Sequence, residues 1–582
     1  MKKKSKKRFS EEKLYDVSLR LSKDDRDMLG LRFPVKIFVQ DPFVARQHEE
    51  EGVLGLEEIQ LDWEPGVDDG PTNSRIAIVD YNINTGIIAK PVQWNRQTKQ
   101  FVGADDPKSF QFHQVNVWAI IQNILAFFED PRVMGRPIPW GFDGNRLIVL
   151  PHASIEKNAY YSRKSKCLQF CFFIHEGEPV YTCLSHDIIA HETGHAILDG
   201  IRPYYFELSS IQTAGFHEFI ADLTAILSAL STTQVRHAIA DVSQGDIWNS
   251  QVISDLGEEF AEKDSKKRYE SAQRYYLRTA QNEKKMKEIE NEVIPHNCSE
   301  VLTGAMFKIL AHMTTCLMKK GHTPKSALWN ASTHLNRMAF RALDYCPPVD
   351  IQFVDYVQAV IRADEQTYPM DRHEYRKIVK EVFESRGIEE IYPKKPPKSV
   401  ELTWKYDISS IANSRTAAYH FLNDNREALD IPLHQDFQIT DLYYTDKVAG
   451  ANESLPREII LEYVWKEDVL LKGKVFGQLE NKKIALLCGG TLVFDERGNI
   501  LHWSKKGGTQ TGEAESEGKQ RKTELLAFVK RLLEADLIGW IDAEACNTLT
   551  ALQPPITGYQ DGNVLKFEIT PQFLNPSKEL GE

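Results

Sequence analysis

The most constraining stretch of this 582-residue chain is "SHDIIAHETGHAILDG", residues 185–200. On an α-helix, His191 and His195 stand four apart and share one face, a turn from each other. Two neutral imidazoles so placed can take two corners of a tetrahedral zinc ion. Glu192, next to the first, points beside the metal rather than at it, which suits a general base acting on water. Ser185 reads as the N-cap, Asp187 as a favourable first-turn charge and Gly200 as the stop. A motif this short also arises by chance, on a helix with a polar face and two ordinary histidines. Further ligands have to be found.

They lie downstream in "AGFHEFIADLTAIL", part of a helix expected over about 216–231. Glu218 and Asp222 are again four apart, on a helix otherwise apolar at Phe219, Ile220, Leu223 and Ile226. An amphipathic core helix does not need two carboxylates on one turn. If Glu218 is the third ligand, Asp222 can accept a hydrogen bond from the far nitrogen of a ligand histidine and fix its tautomer.

The rest of the chain frames these helices. Short apolar runs split by Gly, Pro, Asp and Asn make 27–109 β-rich. Apolar spacing turns helical at "FQFHQVNVWAIIQNILAFFED" (110–130). "NRLIVLPHA" and "CLQFCFFI" read as strands. A charged segment at 255–292 reads as a helical insertion, and helices are expected from Pro295 and at 324–345, 350–364 and 372–386. "YPKKPPKSV" reads as a linker, set at 391–400. Beyond it, 401–582 reads as a separate α+β accessory domain whose run "KKGGTQTGEAESEGKQRK" is a loop. Residues 1–26 read as a basic flexible tail.

The net charge of −12 argues against binding of nucleic acid or anionic membrane by the chain as a whole. No apolar run reads as long enough to span a bilayer, and no apolar segment follows the basic start. The eight cysteines form no CxxC pair, so free thiols in a reducing compartment are expected. Cytoplasmic location follows as an expectation.

HETGH followed by Glu-x-x-x-Asp resembles the thermolysin-like branch of the gluzincin zinc metallopeptidases. Other segments agree in the same order, over about 110–388. "NAYYSRKSKCLQF" (158–170) is similar to the family's edge strand, where Asn158 and the backbone of Ala159 would hold substrate as an added strand. "PHNCSEVLTGAMF" (295–307) resembles the segment with the active-site histidine, which makes His296 a donor to the oxyanion. "FVDYVQAVIRADEQTYP" (353–369) looks like the closing helical stretch. A family tyrosine between the second histidine and the glutamate assists the oxyanion; Tyr204 or Tyr205 could fill that role, and Tyr205 is taken.

The resemblance implies a zincin-like fold with a β-rich N-terminal lobe and a helical C-terminal lobe, bound Zn2+, and endopeptidase action on protein or peptide substrates. It places zinc on His191, His195 and Glu218, with Asp222 behind them. Departures are a longer gap between His195 and Glu218, His217 in place of an asparagine, Asn297 after His296, and no clear substrate-binding arginine. Carboxylates to complete a calcium site with Asp187 are not evident.

The insertion or the C-terminal domain is expected to restrict access to the site, and a regulatory partner could act through that domain. Two rivals remain. An aminopeptidase of the same fold would need an acidic anchor on the edge strand, where "NAYYS" stands instead. A metal-stabilised scaffold, or pseudopeptidase, would act by partner binding and would not need Glu192 or His296. Cys298 beside His296 has no organised Cys-His-Asn arrangement around it.

Overall fold

A computed structural model describes residues 23–40, 42, 55–64, 66–175, 177–249, 255–256, 278–389, 402–449, 454–509, 515–540, 556–561 and 564–569. Nearly all of the expected basic tail and the whole 391–400 linker lie outside them. The molecule is a mixed α+β protein.

Near the start, Arg32–Phe38 pairs antiparallel with Leu56–Asp62. Alternation puts Phe33, Val35 and Ile37 inside, and the Phe33 ring sits 5.0 Å from Trp94 and 6.4 Å from Trp118. Trp118 belongs to the helix Phe110–Glu129, which Ser109 caps by accepting from the Phe112 N–H. This helix is buried on nearly every side because it crosses the core, and its buried polar groups Gln114, Asn116 and Gln122 are hydrogen-bonded. A four-stranded sheet lies beside it in the order Ile76–Ile78, Leu147–Leu150, Cys167–Phe170, Ala159–Ser162. The first three strands run parallel; Ala159–Ser162 is antiparallel and forms the edge.

The HETGH motif sits on a helix, His186–Ile201, and Glu218 on the next, Ile211–Ser231. A Cβ at Gly194 would lie 2.9 Å from the Ala221 Cα, closer than real Cβ atoms come to backbone. The glycine of the motif therefore lets the two helices meet. Gly200, expected to end the first helix, lies within it. A side chain there would run into the Pro139 carbonyl, so close packing and not a left-handed stop accounts for the residue.

Pro295–Lys319 is long and apolar enough to cross a membrane by length and composition, contrary to the reading of the bare sequence. Most of it is buried, and its apolar residues serve the core against the Glu218 helix. Of the charged segment at 255–292, the described part is not α-helical. Asp255–Leu256 pairs with Arg278–Thr279, and Met286–Ile289 forms a 3-10 turn. Residues 257–277 lie outside the described residues.

Beyond residue 402, a seven-stranded sheet is built on Glu458–Leu470 and Lys483–Asp495, paired antiparallel through Glu458↔Asp495 to Leu470↔Lys483. The expected loop at 505–522 is helical from residue 515, in Glu515–Glu534. The sheet packs on the body of the protein, and one buried apolar cluster runs from Phe33 to Phe567. Its contact with residues 202–208 bears on the site.

Candidate metal and catalytic site

Side-chain direction follows from the two helices. His191 and His195 present their Nε2 atoms to one point 3.1 Å apart. From the neighbouring helix, Glu218 Oε2 comes within 3.4 Å of the first and 3.6 Å of the second. Metal bonds of roughly 2.0–2.1 Å at tetrahedral angles put ligand atoms about 3.3 Å apart, so the spacing matches a three-ligand face. All three side chains are buried.

The far ring nitrogens explain which atoms face inward. His191 Nδ1 donates to Asp222 Oδ1 at 2.9 Å, as the Glu-x-x-x-Asp spacing suggested. That leaves the Nε2 lone pair pointing into the site. His195 Nδ1 lies 3.4 Å from His217 Nδ1, with the rings stacked. His217 thus stands behind the second histidine as Asp222 stands behind the first, though only the carboxylate can fix the direction of the bond. In the sequence His217 stood out only as a departure from the family asparagine.

Two lone pairs and a carboxylate converging in a buried space repel each other unless a cation sits among them. Glu218 Oε2 makes no well-formed hydrogen bond here, although His296 Nε2 stands 3.0 Å away. Burial pushes His195 down to about 4, against the pull of Glu218, so its imidazole is neutral and able to bind a metal. These observations fit a metal ion held by His191, His195 and Glu218. The apolar backs of the helices offset the cost of burying such groups. Ile188, Ile189, Ile197 and Leu198 are fully enclosed, each contributing roughly 1.5–3 kcal/mol.

His296, at the start of the helix Pro295–Lys319, brings Nε2 to 3.0 Å from Glu218 Oε2. Its ring lies parallel to His191 at 6.5 Å. Glu192 shares the motif helix and is completely enclosed. Ser185 is the N-cap by position, but its hydroxyl turns to the Asp187 carboxylate, which accepts from the Ile188 N–H.

Tyr205 has to be corrected. It is fully buried and its hydroxyl donates to the Pro347 carbonyl at 2.6 Å, which spends its proton inside the fold. Tyr204 accepts from Gln438 Nε2 at 2.6 Å, which ties its hydroxyl oxygen to the C-terminal sheet. Both belong to the connection that made the gap between His195 and Glu218 long. That connection is tied to the C-terminal sheet. Arg202 pairs with Glu462, Glu207 accepts from Lys466 Nζ at 3.0 Å, and the Leu208 N–H donates to the Phe567 carbonyl at 2.8 Å.

The strand Ala159–Ser162 occupies the sheet edge, as the substrate-strand reading requires. Asn158 Oδ1 accepts from the Ala159 N–H at 2.9 Å. In this conformation that N–H is therefore used locally. Tyr161 and Arg163 donate to Asp199, at 2.7 Å from the tyrosine hydroxyl, and pin the edge strand to the end of the motif helix.

No family model matches the chain, and no curated protein matches it. Among solved structures it is similar to the precursor of protealysin, a metalloproteinase from Serratia proteamaculans. The identity is 13%, the match covers 61% of this chain and 99% of that one, and the TM-score is 0.35. So distant a likeness carries neither fold nor activity, and the reading of this site rests on its own residues.

Proposed function

We propose that this protein is a zinc-dependent endopeptidase of zincin-like fold, with a β-rich N-terminal lobe, a helical lobe and the site between them. The observation that carries the reading is the convergence of His191 Nε2, His195 Nε2 and Glu218 Oε2 in one buried space, with Glu192 on the same helix. Zinc, when bound there, supplies Lewis acidity and makes water nucleophilic near neutral pH. Glu192 takes the proton from the attacking water and hands it to the leaving amine. His296 donates from its ring to the developing oxyanion, a step commonly worth several kcal/mol. Asp222 holds the His191 imidazole in the required tautomer, and His217 stands behind His195.

Protein or peptide chains are the substrates in this reading. The complete enclosure of Glu192 favours a form in which access is restricted, and we assign the C-terminal sheet a part in that restriction because it grips residues 202–208. The test is cleavage of casein by zinc-loaded protein, before and after limited proteolysis of the C-terminal region. Cleavage should be chelator-sensitive, and Glu192→Gln should lower it at least a thousandfold while zinc remains bound. If zinc binds and neither form cleaves, the endopeptidase reading fails.

A further inference from the structure

We propose a second metal site, built by His113, His152 and Cys183, that binds a zinc-type divalent ion and anchors the approach to the motif helix. The three ligand atoms come from separate elements and lie within 4.8 Å of one another. His113 is in the first turn of the helix Phe110–Glu129, His152 follows the strand Leu147–Leu150, and Cys183 is in the 3-10 turn Thr182–Leu184 just before the motif helix. All three are buried.

The hydrogen bonds decide which atoms face inward. His113 Nε2 lies 2.9 Å from the Pro107 carbonyl, which can only accept, so that nitrogen carries the proton. His113 Nδ1 is then a lone pair. His152 Nδ1 lies 2.7 Å from Asp80 Oδ1, and Asp80 Oδ2 also accepts from Gln114 Nε2 at 2.8 Å. A carboxylate with those donors fixes the proton on His152 Nδ1 and leaves Nε2 as a lone pair. The two lone pairs meet at 2.8 Å, with Cys183 Sγ 3.9 Å from His152 Nε2. Such an arrangement needs a cation between the nitrogens, either an extra proton or a metal.

The thiol favours the metal. Two imidazoles, one thiolate and a carboxylate behind one histidine form a donor set suited to zinc. The order Asp80–His152–Cys183 also resembles a nucleophile triad. Cys183, however, is fully buried and its Sγ stays 3.9 Å from His152 Nε2, which suits no exposed nucleophile. Metal binding would release the thiol proton. The aromatic walls match an enclosed structural site: Phe110 stacks on His152 at 4.3 Å, and Tyr181 lies 4.7 Å from His113. Asp80 and Gln114 orient ligands here without touching the ion.

The two sites can be told apart because only this one holds a sulfur. Reduced full-length protein stripped of metal is titrated with cobalt under argon and followed by absorbance and metal analysis. Wild type should bind two equivalents and show a near-ultraviolet thiolate-to-cobalt band. Cys183→Ser should bind one and lose the band; His195→Gln should bind one and keep it. A single equivalent in wild type with no such band would overturn the proposal and leave a proton between His113 and His152. The wild-type spectrum decides this even if a variant fails to fold, and independently of any peptidase activity.

Discussion

At the residue scale, the account turns on atoms that never touch substrate. Asp222 sets the tautomer of His191 through a 2.9 Å hydrogen bond. Losing such a partner costs 10–100-fold in metal affinity in comparable sites. Asp222→Asn should therefore weaken zinc binding by roughly that factor, read by competition with a chromophoric chelator; unchanged affinity would refute the role. Asp222 could be read from the sequence because i, i+4 carboxylates on an apolar helix are anomalous. His217 could not, because its task depends on which way the ring of His195 turns. Tyr205 shows the opposite limit. Its place in the chain fits an oxyanion donor, but its hydroxyl meets Pro347, 142 positions away.

At the element scale, the decisive contact is between the motif helix and the Glu218 helix at Gly194. An alanine in a helix interior is ordinarily better than glycine by about 1 kcal/mol. Here the added Cβ would lie 2.9 Å from Ala221 Cα, and overpacking costs about 1–3 kcal/mol. The packing cost prevails, so Gly194→Ala should lower the urea midpoint and weaken zinc binding. A raised midpoint would contradict the close approach. Helical periodicity made the elements legible. It failed over residues 515–522, the start of the helix Glu515–Glu534, where Gly518 and dense charge read as a loop; residues 523–534 read as helix. That helix is held by a tertiary contact the local sequence does not encode: the buried Arg521 donates to Asp350 at 2.7 Å and to the carbonyls of Gly507 and Leu487.

At the scale of the whole molecule, buried charge joins the C-terminal sheet to the body. Arg202 pairs with Glu462, and Asp344 accepts from Arg136 and Tyr443 and meets Lys447 at 2.9 Å. Burial would raise the Asp344 carboxyl, but Lys447 and Arg136 hold it below its ordinary range. Removing one partner of such a pair leaves a buried charge uncompensated and costs about 3–5 kcal/mol. Glu462→Ala should destabilise by that order in denaturant unfolding and loosen residues 202–208, seen as faster amide exchange. A loss under about 1 kcal/mol would mean that Arg202 is solvated. None of this was legible in the sequence, because each pair spans many intervening residues.

A second effect at this scale is pH-dependent. Glu64 is raised to about 7 by burial and by the nearby Glu129, against a hydrogen bond from Gln122. A raised carboxyl favours the protonated form in the folded state. Its penalty is therefore absent below about pH 4, grows as pH rises, and is complete above about pH 7. Glu64→Gln should stabilise the protein by about 1–3 kcal/mol at pH 8 and by little at pH 4. Equal effects at both would contradict the assignment.

The most direct test of the central claim is anomalous diffraction at the zinc edge from crystals grown with zinc. A peak should stand about 2.0–2.2 Å from His191 Nε2, His195 Nε2 and a Glu218 oxygen. No peak there, with the two imidazole nitrogens bridged by a proton instead, would contradict the account at its foundation.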